Sequence, residues 1–401
     1  MEPSPRPRVA ILGAVRTPIG KYGGALKATP ATELGRIAIS AALLRAGLAT
    51  EDVPEVYMGH CIQAGTGQNP ARQAARGAGI PDHAGAATIN MVCGSGLKAV
   101  MIGVAAIRSG TFPLVVAGGM ESMSSAPYLV PSKARWGLRA GNYALEDAVL
   151  RDALLDAYDE HEHMGFTGER IARKFRLSRE EVDAFALRSH QRASAARTDG
   201  RFNEEIVPVP PDPVSRGPGL PTDEGPRADT TPERLARLIP SFLPSGLVTA
   251  GNSSQLSDGA AALILASEEE VHRRELRPLA WVHSGEVGGV SPAEVMEAPL
   301  ETVRRHLTRV GLRAADIDRW EQNEAFASEA RAFQRTFEIP DERYNVLGGA
   351  VALGHPIGAS GARIVVTLVH EMRRSSSRLG IAALCMGGGN GLSLLVERAD
   401  A

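Results

Sequence analysis

Short, fully apolar runs alternate along the first 120 residues with longer stretches whose apolar positions recur every three or four residues. Arg8 to Ala14, carrying Val9, Ala10, Ile11 and Leu12, predicts a buried strand. Thr32 to Ala46 places Leu34, Ile37, Ala38, Ala41 and Leu44 on one face and predicts a helix stopped by Gly47. Val53 to Met58 predicts a strand and Gln68 to Ala78 a helix. Ile89 to Val92 and Leu114 to Ala117 predict two more strands. Between them, Leu97 to Ile107 is apolar nearly all round, the pattern of a buried helix. Strands alternating with helices indicate an α/β chain with a mostly parallel sheet covered on both faces.

The same pattern returns in the second half. Gly47-Leu48 followed by Asp52-Val53 is matched by Gly311-Leu312 followed by Asp316-Ile317, an offset of 264. Ser95-Gly96 ahead of an apolar helix is matched by Ser360-Gly361 ahead of Ala362 to Met372, an offset of 265. Leu114 to Gly119, a strand running into glycines, is matched by Ile381 to Gly389. Three features at nearly one offset indicate a duplicated domain. The expected organisation is an N-terminal half (residues 1–120 plus 252–275), an inserted loop domain (121–251) and a C-terminal half (276–401).

The insertion is more charged and holds a proline-rich run from Pro208 to Pro221. Ser178, with Glu181 three residues on, predicts a helix start closed by a capping box. A long excursion from a rigid core suits a substrate cover, and equally a solvated or oligomer-contacting segment.

Composition narrows the class. The chain has 401 residues, 43% hydrophobic and 22% charged, as in an ordinary globular protein with a large core. The net charge of −2 carries no nucleic-acid footprint. The three cysteines, at 61, 93 and 385, are too sparse for a disulfide scaffold and point to a reducing, cytoplasmic setting. None pairs with another at metal-ligand spacing. The polar, Pro-rich Met1 to Arg8 stretch does not read as a targeting signal, and no apolar run is long enough to span a membrane.

Candidate chemistry gathers at predicted strand ends and helix starts. Cys93 stands at the start of the buried helix, where unpaired N–H groups and the helix dipole favour thiolate over thiol. Gly94 and Gly96 leave room beside it. The other stretches are Asn323-Glu324-Ala325-Phe326, Gly354-His355-Pro356 running on to Gly361, and Cys385-Met386-Gly387-Gly388-Gly389. Singly, each has a structural account: either cysteine as a core residue, His355 in a loop, Asn323 at a helix start, the glycines as a turn. A phosphate loop would need a helix after the glycines, whereas Leu392 to Val396 reads as a strand. The repeat places the Cys93 turn and the His355 loop at equivalent helix starts, with Cys385 directed at the same place.

In this order and at this spacing, Asn90-x-x-Cys93-Gly94-Ser95-Gly96, Asn323-Glu324-Ala325-Phe326, Gly354-His355-Pro356-x-Gly358-Ala359-Ser360-Gly361 and Cys385-x-Gly387-Gly388-Gly389 resemble the signatures of the thiolase family over essentially the whole chain. The resemblance implies a layered αβαβα sandwich of two duplicated halves. It implies that Cys93 carries the acyl group taken from an acyl-CoA thioester and that His355 activates it. Cys385 would be the acid/base at the α-carbon of the second acyl-CoA. Asn323, through a water, and His355 would form one oxyanion hole; the backbone N–H groups of Cys93 and Gly387 would form the other. His163, Met164, Phe326, Ser254 and Arg227 would contact coenzyme A or the acyl group. No metal or redox cofactor is implied, and the family suggests homodimers or homotetramers. Cys61 matches no catalytic motif and reads as structural.

Gly118 to Ser124, His163-Met164 and Thr249 to Ser254 resemble the members that condense two acetyl-CoA into acetoacetyl-CoA and CoA, with Met164 and Phe326 as walls of a short acyl pocket. The alternative is a 3-ketoacyl-CoA thiolase for longer or branched chains in fatty acid β-oxidation. Three positions depart from the family pattern: Leu347 in place of a second asparagine, Glu297-Ala298 in place of glycines after Met296, and Gly168 in place of alanine.

Overall fold

The computed structural model describes residues 7–158, 161–211 and 217–400. The first residues of the chain and the middle of the Pro208–Pro221 run therefore lie outside the described residues.

The strands are β1 (Val9–Arg16), β2 (Gly20–Lys21), β3 (Glu55–Gly59), β4 (Gly85–Ile89), β5 (Leu114–Ser122), β6 (Tyr128–Leu129), β7 (Glu146–Asp147), β8 (Ser257–Ser267), β9 (Ala280–Gly289), β10 (Arg319–Gln322), β11 (Leu379–Met386) and β12 (Asn390–Arg398). The helices are α1 (Ala31–Ala46), α2 (Pro70–Gly77), α3 (Ser95–Arg108), α4 (Met164–Lys174), α5 (Arg179–Thr198), α6 (Pro232–Ala236), α7 (Glu268–Arg273), α8 (Ala298–Val310), α9 (Ala327–Thr336), α10 (Ala350–Leu353) and α11 (Ile357–Arg374).

The duplication is visible in the strand order. The first half runs β1-β8-β5-β3-β4 and the second β9-β12-β11-β10. A single parallel bridge, Trp320 to Tyr344, stands where the first half has β4. The halves join edge to edge through only Val9–Ile11 against Ala280–Val282. Gly47 and Gly311, the repeated residues that end α1 and α8, both adopt the left-handed conformation, with φ of 67° and 69°.

The sheet is mixed, and the expectation of a mostly parallel one is corrected. Among the described strand pairs, only β3 with β4 and β5, and β10 with β11, are parallel. β8 lies antiparallel between β1 and β5, and β12 antiparallel between β9 and β11. β12 follows β11 after a three-residue turn, which leaves no length for the crossover that a parallel neighbour needs.

Helices α1 and α2 cover the outer face of the first half, and α8 and α9 that of the second. Between the halves, α3 and α11 pack on each other and on both sets of strands, giving the layered αβαβα sandwich. The first turns of α3 and α11 meet backbone to backbone. A Cβ on Gly361 would fall 2.4 Å from Leu97 N, and one on Gly96 2.8 Å from Ala362 N. Only glycine fits at either position.

The strand expected at Ile89–Val92 ends at Ile89 instead. Residues 90–94 form the turn that leads into α3, and Val92 takes a left-handed φ of 49°, uncommon for a β-branched residue. The segment between β5 and β8 carries α4, α5 and α6 and packs against α9 and α10 of the second half. Ser178 caps α5 with the expected box: its Oγ accepts from Glu181 N, and the Glu181 carboxylate accepts from Ser178 N. Among the described residues, no helix is long and apolar enough to cross a membrane.

Candidate active site

The helix starts of the two halves converge on one cavity of about 230 Å³. Cys93 and His355 line it, ahead of α3 and α11 respectively. Cys385 and Gly387, at the end of β11, close another side. The segment between β5 and β8 supplies His163, Met164, Phe242 and Ser254, and Phe326 comes from the start of α9.

The Cys93 turn is held from within and by the loop after β3. Ser95 Oγ accepts from Met91 N at 2.9 Å and donates to Val92 O at 2.6 Å. Asn90 Nδ2 donates to Cys61 O at 3.2 Å in that neighbouring loop, and the fully buried Glu121 accepts from Cys61 N at 3.0 Å, Ile62 N at 3.3 Å and Gly358 N at 2.9 Å. One carboxylate thus ties the loop after β3 to the first turn of α11.

His355 is buried, and its backbone N donates to Gln255 O at 2.9 Å. Its Nδ1 lies 2.6 Å from Ser360 Oγ, whose own proton goes to Pro356 O at 2.9 Å. The serine oxygen therefore accepts from Nδ1–H, which leaves the Nε2 lone pair as the basic site. Asn323 Nδ2 lies 3.4 Å from each ring nitrogen, and the buried Asn323 Oδ1 has no protein partner among the described residues.

The chain matches two family models, Thiolase N-terminal domain over residues 9–269 and Thiolase C-terminal domain over residues 276–398. This chain belongs to the thiolase family. It is similar to the acetyl-CoA acetyltransferase of Pseudomonas aeruginosa, 48% identical over 97% of this chain and 99% of the relative. It is 46% identical to the acetyl-CoA acetyltransferase of Escherichia coli, over 97% of this chain and 98% of the relative. Among solved structures, the acetyl-CoA acetyltransferase of Bacillus anthracis superposes with a TM-score of 0.95 at 42% identity, covering 98% of this chain and 99% of that one. A thiolase from Ascaris suum in complex with coenzyme A superposes with a TM-score of 0.92 at 41% identity, covering 98% of this chain and 100% of that one.

Electrostatics in this thiolase differ from the expected thiolate. Burial pushes the Cys93 thiol up to about 12, although the N–H groups of Gly387 and of Cys93 itself favour the anion. Burial, aided by the Arg363 charge, pulls His355 down to about 3. The resting pair is therefore thiol and neutral imidazole. The helix start contributes donors, but desolvation outweighs them until charge develops on substrate. Burial also holds Cys385 well above the ordinary thiol range; its Sγ lies 3.8 Å from Met296 Sδ.

Most predicted site residues of this thiolase meet at the cavity; Asn323 stands behind it against His355. His163 caps α4, its Nδ1 accepting from Gly165 N at 3.0 Å, and stacks on Phe242 at 4.8 Å between ring centroids. Arg227 is exposed and does not line the cavity. Cys61 is buried and does not line it either. Leu347 packs with Leu353 and Phe202 away from the cavity, so the apolar replacement leaves no polar gap in its wall. Sequence reasoning missed the roles of Ser360 and Glu121, which lie inside quoted motifs but act through backbone geometry. It missed Phe242, which no motif marks.

Proposed function

We propose that this thiolase is an acetyl-CoA acetyltransferase, condensing two acetyl-CoA into acetoacetyl-CoA and CoA by a reversible ping-pong reaction. The observation that carries this reading is two thiols of different surroundings and one oriented imidazole on a single cavity, with the N–H groups of Cys93 and Gly387 aimed at the Cys93 sulfur. As Cys93 Sγ attacks the thioester carbonyl, His355 Nε2 takes the thiol proton. The same two N–H groups stabilise the oxyanion as it forms. CoA leaves with the proton held by His355, and the acetyl group stays on Cys93. Cys385 then takes an α-proton from a second acetyl-CoA, and a water held by Asn323 beside His355 donates to the enolate oxygen. The α-carbon attacks the acyl-cysteine carbonyl, the carbonyl carbon–sulfur bond to Cys93 breaks, the proton taken by Cys385 passes to the Cys93 sulfur, and acetoacetyl-CoA departs.

Ser254, His163 and Met164 line the path of the pantetheine arm, and Arg227, outside the cavity, meets the nucleotide end of coenzyme A. The segment 121–251 acts as the cover over this path. The reaction needs no metal or redox cofactor, and the enzyme works in the cytoplasm as a homodimer or homotetramer.

The test is mass spectrometry of the protein after incubation with acyl-CoAs, joined to thiolysis rates of 3-ketoacyl-CoAs. Acetylation at Cys93 and faster cleavage of C4 than of C8 substrates are expected. Faster C8 cleavage would give the assignment to the 3-ketoacyl-CoA thiolases. In Cys385→Ala, Cys93 should still be acylated while α-proton exchange of acetyl-CoA into D2O stops; normal exchange would remove Cys385 from its role.

A further inference from the structure

Phe326 is a wall of the cavity, and what stands behind its ring decides how far it can sit back. The residue behind it is Gly168, buried on α4 and not itself a lining residue. A Cβ on Gly168 would lie 3.1 Å from Phe326 Cγ, 3.3 Å from Phe326 Cδ1 and 3.3 Å from Val248 Cγ2. These separations are well inside ordinary carbon–carbon contact, so a methyl group here would have to displace a neighbour.

The helix cannot be the part that moves. Gly168 O accepts from Ser328 Oγ at 2.9 Å, which fastens α4 to α9 at this residue. The carboxylate of the next residue, Glu169, accepts from Leu247 N and Val248 N, each at 2.9 Å by its nearer oxygen. With α4 pinned on both sides and Val248 fully buried, the ring of Phe326 is the group free to shift, and its open side is the cavity.

We propose that Gly168 sets the acyl-chain tolerance of this thiolase: by carrying no side chain it lets Phe326 sit back several tenths of an ångström, so that the pocket accepts three- and four-carbon acyl groups as well as acetyl. This deepens the proposed function and rests on it. The rest of the wall suits the same role. Met164 and Met296 share one apolar cluster with Phe326, and unbranched thioethers re-pack around an extra methylene more readily than branched side chains do. Gly168 touches no substrate and acts through Phe326.

The experiment measures single-turnover CoA release, and the matching acyl adduct on Cys93, with acetyl-, propionyl- and butyryl-CoA. The wild-type protein should take butyryl-CoA within about tenfold of acetyl-CoA. Gly168→Ala should lower the butyryl-to-acetyl ratio by roughly 10- to 200-fold, the range for about one methylene in an apolar pocket. Gly168→Ala/Val248→Ala gives the added methyl another place to go and should return the ratio to near wild type. That double variant also reads the proposal if the single one folds poorly. A ratio in Gly168→Ala within twofold of wild type, or a double variant as restricted as the single one, overturns the proposal. Absence of any acetyl adduct on wild-type Cys93 would instead overturn the proposed function.

Discussion

The resting state of Cys93 gives a sharp prediction about its reactivity. With the thiol pushed up to about 12, forming the anion before substrate arrives costs on the order of 5 kcal/mol more than for an ordinary thiol near 8.5. At pH 8 the thiolate fraction is roughly one in ten thousand, against about one in four for an ordinary cysteine. His355, pulled down to about 3, stays neutral across the working range and holds no imidazolium beside the sulfur. Iodoacetamide reacts with thiolate, so its rate at Cys93 should rise about tenfold per pH unit from pH 7 to 10, with no plateau. The assay is peptide mass spectrometry of carbamidomethylated Cys93 at timed points, in the free protein. A rate that levels off with a midpoint near pH 6 or 7 would refute the reasoning. It would mean that a preformed thiolate–imidazolium pair exists and that the helix-start donors outweigh burial.

Two further predictions probe the groups around this pair. Ser360→Ala removes the acceptor of His355 Nδ1–H, so kcat/KM should fall about 10- to 100-fold while KM changes little; an equal rise in KM would assign Ser360 to binding instead. Glu329 is buried, its Oε1 held by Gln322 Nε2, and burial pushes it up to about 8. Its folded-state value is raised above the unfolded one near 4.3, so it stabilises the fold fully only below about 4.3 and this is lost as pH rises through 8. Thermal midpoints measured from pH 5 to 9 should therefore fall less in Glu329→Gln than in the wild type; parallel curves would show that Glu329 does not hold the proton.

The fold was legible where a local rule and the repeat agreed. Gly47 and Gly311 end equivalent helices because both positions demand a left-handed residue. Ser95-Gly96 opens α3, whereas Ser360-Gly361 lies a turn inside α11 and not ahead of it as the pattern suggested; both pairs carry glycine because both approach another backbone. Strand direction was not legible, since an apolar run reads alike whichever way its neighbour runs, and β8 and β12 proved antiparallel. The Ile89–Val92 run was misread as strand because apolar content cannot report the left-handed turn at Val92. At the site, nucleophile, base and second thiol could be named from glycine-flanked motifs. Their protonation could not, because it is set by how completely the cavity is enclosed. Ser360 and Glu121 escaped notice for a related reason: their partners are a ring nitrogen and backbone amides, which leave no mark in a residue pattern.

The close approach of α3 and α11 at Gly96 and Gly361 bears on how this chain diverged after its halves were duplicated. Copies of a domain are ordinarily free to drift apart along their whole length. Here each central helix presses its first turn against the other, so a side chain gained at either glycine would part both halves at once. Innovation is left to the few residues just ahead of each helix. One copy placed a cysteine there, the other a histidine, and the division of labour between nucleophile and base was written into two short loops on an interchangeable frame.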